Sequence, residues 1–144
     1  MTLLDSAEAA RELLERAGLE PTLNRIMVVS AVAAGHGPVT AGEVLAEVLR
    51  EHKLNRVTVY RILDLLAEKG AINRISSGER AQHYCVGRAH SHFHCTGCGR
   101  IQCIANEAIR FDESAVADSL GLLVSHVDLV LEGLCRDCAR AAGA

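Results

Sequence analysis

Apolar positions in the first half of the chain recur three and four apart, the spacing of amphipathic helices. From Asp5 to Ala17, the residues Ala9, Leu13, Leu14 and Ala17 share one face, and Gly18 supplies a stop. Thr22 is placed to cap a second helix running to Val32, with Ile26, Val29 and Ala33 as its apolar stripe. The stretch Gly35-His36-Gly37-Pro38 breaks that helix. Thr40 caps a third, where Glu43 completes a capping box and Val44, Leu45, Val48 and Leu49 are the apolar residues. Asn55 opens a fourth, with Val59, Ile62, Leu63 and Leu66 at core spacing and Gly70 at its end. The period then changes. Ala71 to Ser76 and Ala81 to Val86 are short extended runs joined by Ser77-Gly78-Glu79-Arg80, which predicts a hairpin. Helices followed by a hairpin are the order of a winged helix-turn-helix.

The second half has a different pattern. His90 to Cys95 alternates as a strand does, which places His90, His92 and His94 on one face and Cys95 on the other. Ile101 to Ile104 predicts a second strand, Glu107 to Leu120 a helix ended by Gly121, and Leu122 to Leu131 a weaker strand. A small Ala/Gly tail follows Cys138, and there is no internal repeat. The expected architecture is mixed α and β, with a boundary near Gly87-Arg88: a winged helix-turn-helix over 1–87 and a small α/β domain over 88–144.

Two cysteine pairs carry the chemistry, Cys95-Thr-Gly-Cys98 and Cys135-Arg-Asp-Cys138. Each pair spaces two thiols so that both reach one ion, and the two together supply the four soft ligands of a closed structural zinc site. A disulfide framework or an exchanging redox pair is the other use of such spacing. The chain starts Met1-Thr2-Leu3-Leu4-Asp5, without the basic start and long apolar run of a secretory signal. No apolar stretch approaches the ~18 residues of a membrane span. Six cysteines in that setting are expected to bind metal or stay reduced, in a cytoplasmic protein with no membrane partner. Aromatic content is 3% and Trp is absent, so the core must be aliphatic, and a small C-terminal half gains from a metal staple.

Net charge is −3, which argues against indiscriminate binding to nucleic acid, but the charge is unevenly spread. Lys53 to Arg88 holds seven basic and three acidic residues, whereas 89–144 is net −3. Within the basic stretch, the fourth predicted helix lines up Arg56, Tyr60 and Asp64 outside its apolar face, flanked by Thr58 and Arg61. Arginine suits phosphate or guanine, and a tyrosine ring packs on a thymine methyl, so this helix is the candidate reader of double-stranded DNA. A solvated helix face is the bland alternative.

Taken in order, Val57-Thr58-Val59-Tyr60-Arg61, His90-Ser91-His92 running into Cys95-x-x-Cys98-Gly99, and the terminal Cys135-x-x-Cys138 resemble the ferric-uptake-regulator (Fur) family of metal-sensing repressors. The resemblance covers nearly the whole chain. It implies a homodimer with an N-terminal winged helix and a C-terminal α/β dimerisation domain. It further implies a four-cysteine structural zinc and a separate regulatory metal at the hinge, with no small-molecule substrate and no enzymatic activity. Tyr60 and Arg61 inherit the DNA-contact role, and Arg25 matches an arginine of the family's second helix. Asn24 stands where a proline is usual beside it, and Glu20 where a close relative has a lysine.

The resemblance also bears on which metal is sensed. Iron- and peroxide-sensing branches build the hinge site from a histidine before the third helix, a carboxylate at the end of the hairpin, the His-x-His pair, and a carboxylate after the first cysteine pair. His36, His90 and His92 match the histidines, but the carboxylate positions are Cys85 and Cys103. Thiolates in place of hard oxygens shift preference from ferrous iron or manganese toward zinc. The cysteine at position 85 resembles the zinc-uptake-regulator branch; where that branch often has an Asp or His on the first hairpin strand, this chain has Asn73, a poor ligand. Four of His36, Cys85, His90, His92 and Cys103 are therefore expected to bind a second, regulatory zinc. A further family site reads Ala89, Ser91, Arg110 and His126 here and is expected to be lost. His94 matches no family ligand, and His52 and His83 are expected at the surface. The alternatives are iron or peroxide sensing through the same hinge and, more remotely, a thiol-disulfide protein or a zinc hydrolase. No thioredoxin-like unit and no His-Glu-x-x-His supports the last two.

Overall fold

The computed structural model describes residues 3–35, 37–75, 82–87, 91–125 and 127–143. Candidate ligands His36 and His90 lie outside the described residues, as do His126, Ala89 and the hairpin tip. The chain divides into two compact units, Met1–Gly87 and Arg88–Ala144. The architecture is mixed α and β: a winged helix-turn-helix and a small α/β unit.

The N-terminal unit runs α1 (Leu3–Arg16), α2 (Leu23–Ala33), β1 (Val39–Thr40), α3 (Ala41–Leu49), α4 (Arg56–Glu68), β2 (Asn73–Ile75) and β3 (His83–Cys85). Local chemistry sets the helix starts. The Thr22 hydroxyl oxygen accepts from the Arg25 N–H at 3.3 Å, Thr40 from Glu43 at 3.1 Å, and Asn55 Oδ1 from Thr58 at 2.8 Å. The expected capping box at Thr40 is altered. The Glu43 carboxylate accepts from the Thr40 hydroxyl at 3.2 Å, so the two side chains bond each other.

Four helix faces meet in one aliphatic core. Leu14, Val28, Val29, Val32, Val44, Val48, Val59, Leu63 and Leu66 are buried there, with Tyr84 from the wing. The predicted stripes were slightly misplaced on two helices. Ala10 is buried where Ala9 was expected, and α2 buries Val28, Ala31 and Val32 while Ala33 is exposed. A helix packed on several neighbours buries a wider arc than one stripe. The wing is a three-stranded antiparallel sheet in the order β1-β3-β2. Its third strand, β1, was not foreseen, because two residues are too few to show a period. Ala71 and Ile72 are buried before the hairpin begins. His83, expected at the surface, is half-buried between β1 and β2, pairing with Thr40 and Ile75.

The C-terminal unit contains β4 (Ser91–Cys95), β5 (Ile101–Ile104), α5 (Glu113–Leu120), β6 (Val130–Gly133) and α6 (Arg136–Ala141). The central strand β4 pairs antiparallel with β5 and parallel with β6. The predicted helix over Glu107–Leu120 is shorter. A 3₁₀ turn covers Asn106–Ala108, and α5 starts only at Glu113, where the Asp112 carboxylate accepts from the Ala115 N–H at 2.9 Å. The predicted strand over Leu122–Leu131 is confined to its end, and α6 replaces the expected tail. Burial does not alternate along β4: Ser91, His92, His94 and Cys95 are all buried.

Candidate metal centre

The four sulfurs of Cys95, Cys98, Cys135 and Cys138 lie within 4.8 Å of one another. Cys98 Sγ and Cys135 Sγ are 4.0 Å apart. Zinc bonds sulfur at about 2.3 Å, so the corners of such a tetrahedron are separated by roughly 3.8 Å, and the cluster is of the right size. None of the six cysteines is paired in a disulfide, and the four sulfurs of the two pairs converge on one point as a shared ion requires.

The first pair sits on the turn between β4 and β5. That turn is closed by the Cys95 N–H donating to the Arg100 carbonyl at 2.8 Å and the Gly99 N–H to the Cys95 carbonyl at 2.9 Å. Gly99 has φ 78, a left-handed conformation that favours glycine. Gly97 is favoured for another reason. A Cβ there would stand 3.0 Å from both Cβ and Sγ of Cys138 and 3.2 Å from Leu134. The second pair is carried by the end of β6 and by α6: Cys135 is the N-cap of α6 and Cys138 lies in its first turn. The Thr96 N–H donates to the Gly133 carbonyl at 2.8 Å and fastens one knuckle to the other.

Electrostatics within the cluster are asymmetric. The backbone N–H groups of Cys135 and Cys98 donate to Cys95 Sγ at 3.3 and 3.5 Å. They stabilise a thiolate and lower the Cys95 pKa from 9.0 to about 5. Cys138 is pushed up to about 12, first by its hydrogen bonds to the Cys135 and Cys95 sulfurs, which hold it as a thiol. One corner is thus prepared as an anion and another retains its proton until a cation displaces it. The residues fit a soft divalent metal.

The other candidate ligands are described unit by unit. In the C-terminal unit, His92 and Cys103 are directly paired across β4 and β5, and a ring nitrogen of His92 lies within 4.8 Å of Cys103 Sγ. His92 is buried and Cys103 is exposed. Carboxylates approach the strand's imidazoles from β6 and its preceding segment: Asp128 at 4.0 Å from His92 and Glu132 at 3.6 Å from His94. His94 is thus a buried strand residue beside Glu132. In the N-terminal unit, Cys85 is buried at the end of β3, directly across from Asn73.

On α4, Arg56 and Arg61 are exposed, while Thr58 and Tyr60 are half-buried. The Arg56 guanidinium lies over the Tyr60 ring, 5.2 Å from its centroid. Asp64, further along the same helix, accepts from Arg74 of the wing at 2.6 Å, and Arg74 also lies over Tyr84 at 5.8 Å. This tie between α4 and the wing was not visible in the sequence, since its partners come together only through the fold. Arg25 donates to the Glu20 carbonyl at 2.9 Å, so part of its guanidinium fastens the turn before α2. Among the described residues, no helix is long and apolar enough to cross a membrane.

Residues 16–132 match the sequence profile of the ferric uptake regulator family. Similar proteins include the ferric uptake regulation protein of Legionella pneumophila, 27% identical over 129 residues that cover 87% of this chain and 95% of the relative. The transcriptional regulator FurA of Mycobacterium bovis is 32% identical over 133 residues, covering 89% of this chain and 88% of the relative. Among solved structures, a zinc uptake regulator in complex with zinc and DNA superposes with a TM-score of 0.72 at 21% identity, covering 100% of this chain and 99% of that one.

Proposed function

The chain belongs to the ferric uptake regulator family, and from that premise we propose that it is a zinc-responsive repressor that binds operator DNA as a homodimer in the cytoplasm. The family consists of metal-responsive transcriptional regulators and not of enzymes. The finer reading rests on the donor set. On this reading four of His36, Cys85, His90, His92 and Cys103 hold one regulatory zinc, so the set offers up to two thiolates beside imidazoles. Two thiolates beside imidazoles suit zinc better than ferrous iron or manganese. Zinc is likewise the proposed occupant of the Cys95, Cys98, Cys135 and Cys138 cluster, where a bound ion supplies cross-linking between two chain segments.

The homodimer is supported by α5, which buries none of its residues in a single protomer. Val116, Leu120, Leu122 and Leu123 are exposed on and after it, with Leu123 at 98%. A second copy covering that surface is the economical solution for a symmetric DNA-binding protein. The proposed reader is α4, with Tyr60 and Arg61 as principal contacts and Arg56, Thr58 and Arg25 as accessory ones. Paired reading helices then address major-groove faces about 34 Å apart.

The test is a gel-shift titration with the promoter of a metal-uptake operon, at fixed salt. Zinc is expected to promote binding at lower free concentration than ferrous iron under anaerobic conditions, and chelation to reverse it. Ferrous iron acting at the lower concentration would replace the zinc reading with an iron-sensing one.

The reading helix gives a separate prediction. Tyr60→Ala is expected to reduce sequence preference by about 1–3 kcal/mol. Arg61→Ala is expected to weaken binding to all sequences and to lower the salt slope by about one. Metal content and dimer formation should be unchanged in both. Operator affinity equal to the parent in both variants would show that another element reads the DNA.

A further inference from the structure

Asn73 has the wrong chemistry for a strong metal ligand, yet it stands directly across from Cys85 in the wing. Its amide nitrogen reaches two acceptors. It donates to Cys85 Sγ at 3.7 Å, a distance suited to the large radius of sulfur, and to the Gly87 carbonyl at 3.0 Å. A carbonyl oxygen only accepts, so the atom facing Gly87 must be the nitrogen, and the orientation of the amide is determined. One NH₂ group with two protons therefore serves a candidate ligand and the last residue of the N-terminal unit.

We infer that Asn73 is a positioning residue for the regulatory metal, donating one N–H to the Cys85 sulfur and the other to the Gly87 backbone. This inference rests on the reading of Cys85 as a regulatory ligand. An N–H bonded to a coordinating thiolate orients its lone pairs and withdraws charge from it, as outer partners do at metal sites generally. The second bond holds the chain at the point where it leaves the wing toward His90. A carboxylate at position 73 offers neither donor and would face both a thiolate and a carbonyl oxygen with like partial charge. Asn at this position thus goes with a cysteine at position 85: the amide supports the thiolate instead of competing with it for the ion.

The probe is Co(II), titrated into full-length dimer whose four-cysteine site is loaded with zinc. Its sulfur-to-metal charge-transfer band reports charge on the coordinating thiolates. Asn73→Leu removes both donors, and Asn73→Ala removes them without adding bulk or a carboxylate that could itself bind the ion, so the second variant carries the test where the first folds poorly. Both are expected to shift the band to lower energy, and Asn73→Leu to weaken Co(II) binding by roughly 10–100-fold. The zinc of the four-cysteine site should be retained. A band unmoved in the folded variants overturns the inference. Cys85→Ala is run beside them. A charge-transfer band unchanged in Cys85→Ala would mean that Cys85 is not a ligand and that the regulatory reading itself has failed. A band weakened or shifted in Cys85→Ala but unmoved in the Asn73 variants would defeat the positioning role alone.

Discussion

Cys95→Ser is expected to strip the C-terminal unit of its zinc and of its fold together, while the N-terminal unit keeps its helices. The reason is the size of the apolar core. Among the described residues of that unit, Cys95 and Ile101 are the buried hydrophobics; the other buried side chains are Ser91, His92 and His94. A core this small supplies little folding energy, and on the proposed reading the bound metal provides the rest. Structural zinc is worth about 10–16 kcal/mol of apparent binding free energy in small domains at neutral pH, and that energy is folding energy where no site exists in the unfolded chain. Cys95 is also the sulfur that accepts backbone N–H groups from both knuckles, at Cys98 and Cys135. A serine oxygen loses the soft ligand and shortens the reach of the acceptor. Zinc content per protomer, limited proteolysis and sedimentation would be measured together. A stable dimer without bound zinc would refute the structural role.

The same cluster has a predictable response to acid. The Cys95 pKa is lower in the folded protein than the ordinary 9.0, at about 5. Its contribution to stability is therefore present above pH 9 and is lost as pH falls toward and through 5. Cys138 is shifted the other way, and loading the site must remove its proton. Both effects weaken metal retention on acidification.

Cys85→Ala is expected to abolish activation of operator binding by zinc while leaving one zinc per protomer in the four-cysteine cluster. Losing a direct thiolate ligand should cost more than the roughly 10–100-fold in metal affinity that losing an outer partner costs. The proposed ligand set draws Cys85 from the wing and His92 and Cys103 from the C-terminal sheet, so alanine at position 85 removes the wing's thiolate. Binding without added zinc should be unaffected, because Cys85 lies on β3 and not on the reading helix. Cys103→Asp complements the test: a carboxylate at this exposed position should move preference toward ferrous iron or manganese. The measurements are zinc stoichiometry and operator affinity across a buffered range of free zinc. Two zincs per protomer and parental DNA binding in Cys85→Ala would remove Cys85 from the sensor.

Local signals sufficed for the starts of α2, α3 and α4 and were misread at α5, where the Asp112 cap sets the start. Thr22, Thr40 and Asn55 cap the helices that they were expected to cap, since a cap bond spans three residues and needs nothing from the rest of the fold. The spacing within each cysteine pair likewise announced two sulfurs that can share one ion, because each knuckle is a short turn, whereas the convergence of the two pairs is the fold's doing. Long-range pairing was not legible. The strand β1 exists because β3 lies beside it. Burial on both faces of β4 is a property of its neighbours and not of its alternation. Hairpin register decided the role of Asn73. Sequence alone marks it as a poor ligand, whereas pairing opposite Cys85 turns its amide into a donor to sulfur. Chemistry between residues distant in the chain is set by which backbones the fold brings together, and no pattern within either segment encodes that meeting.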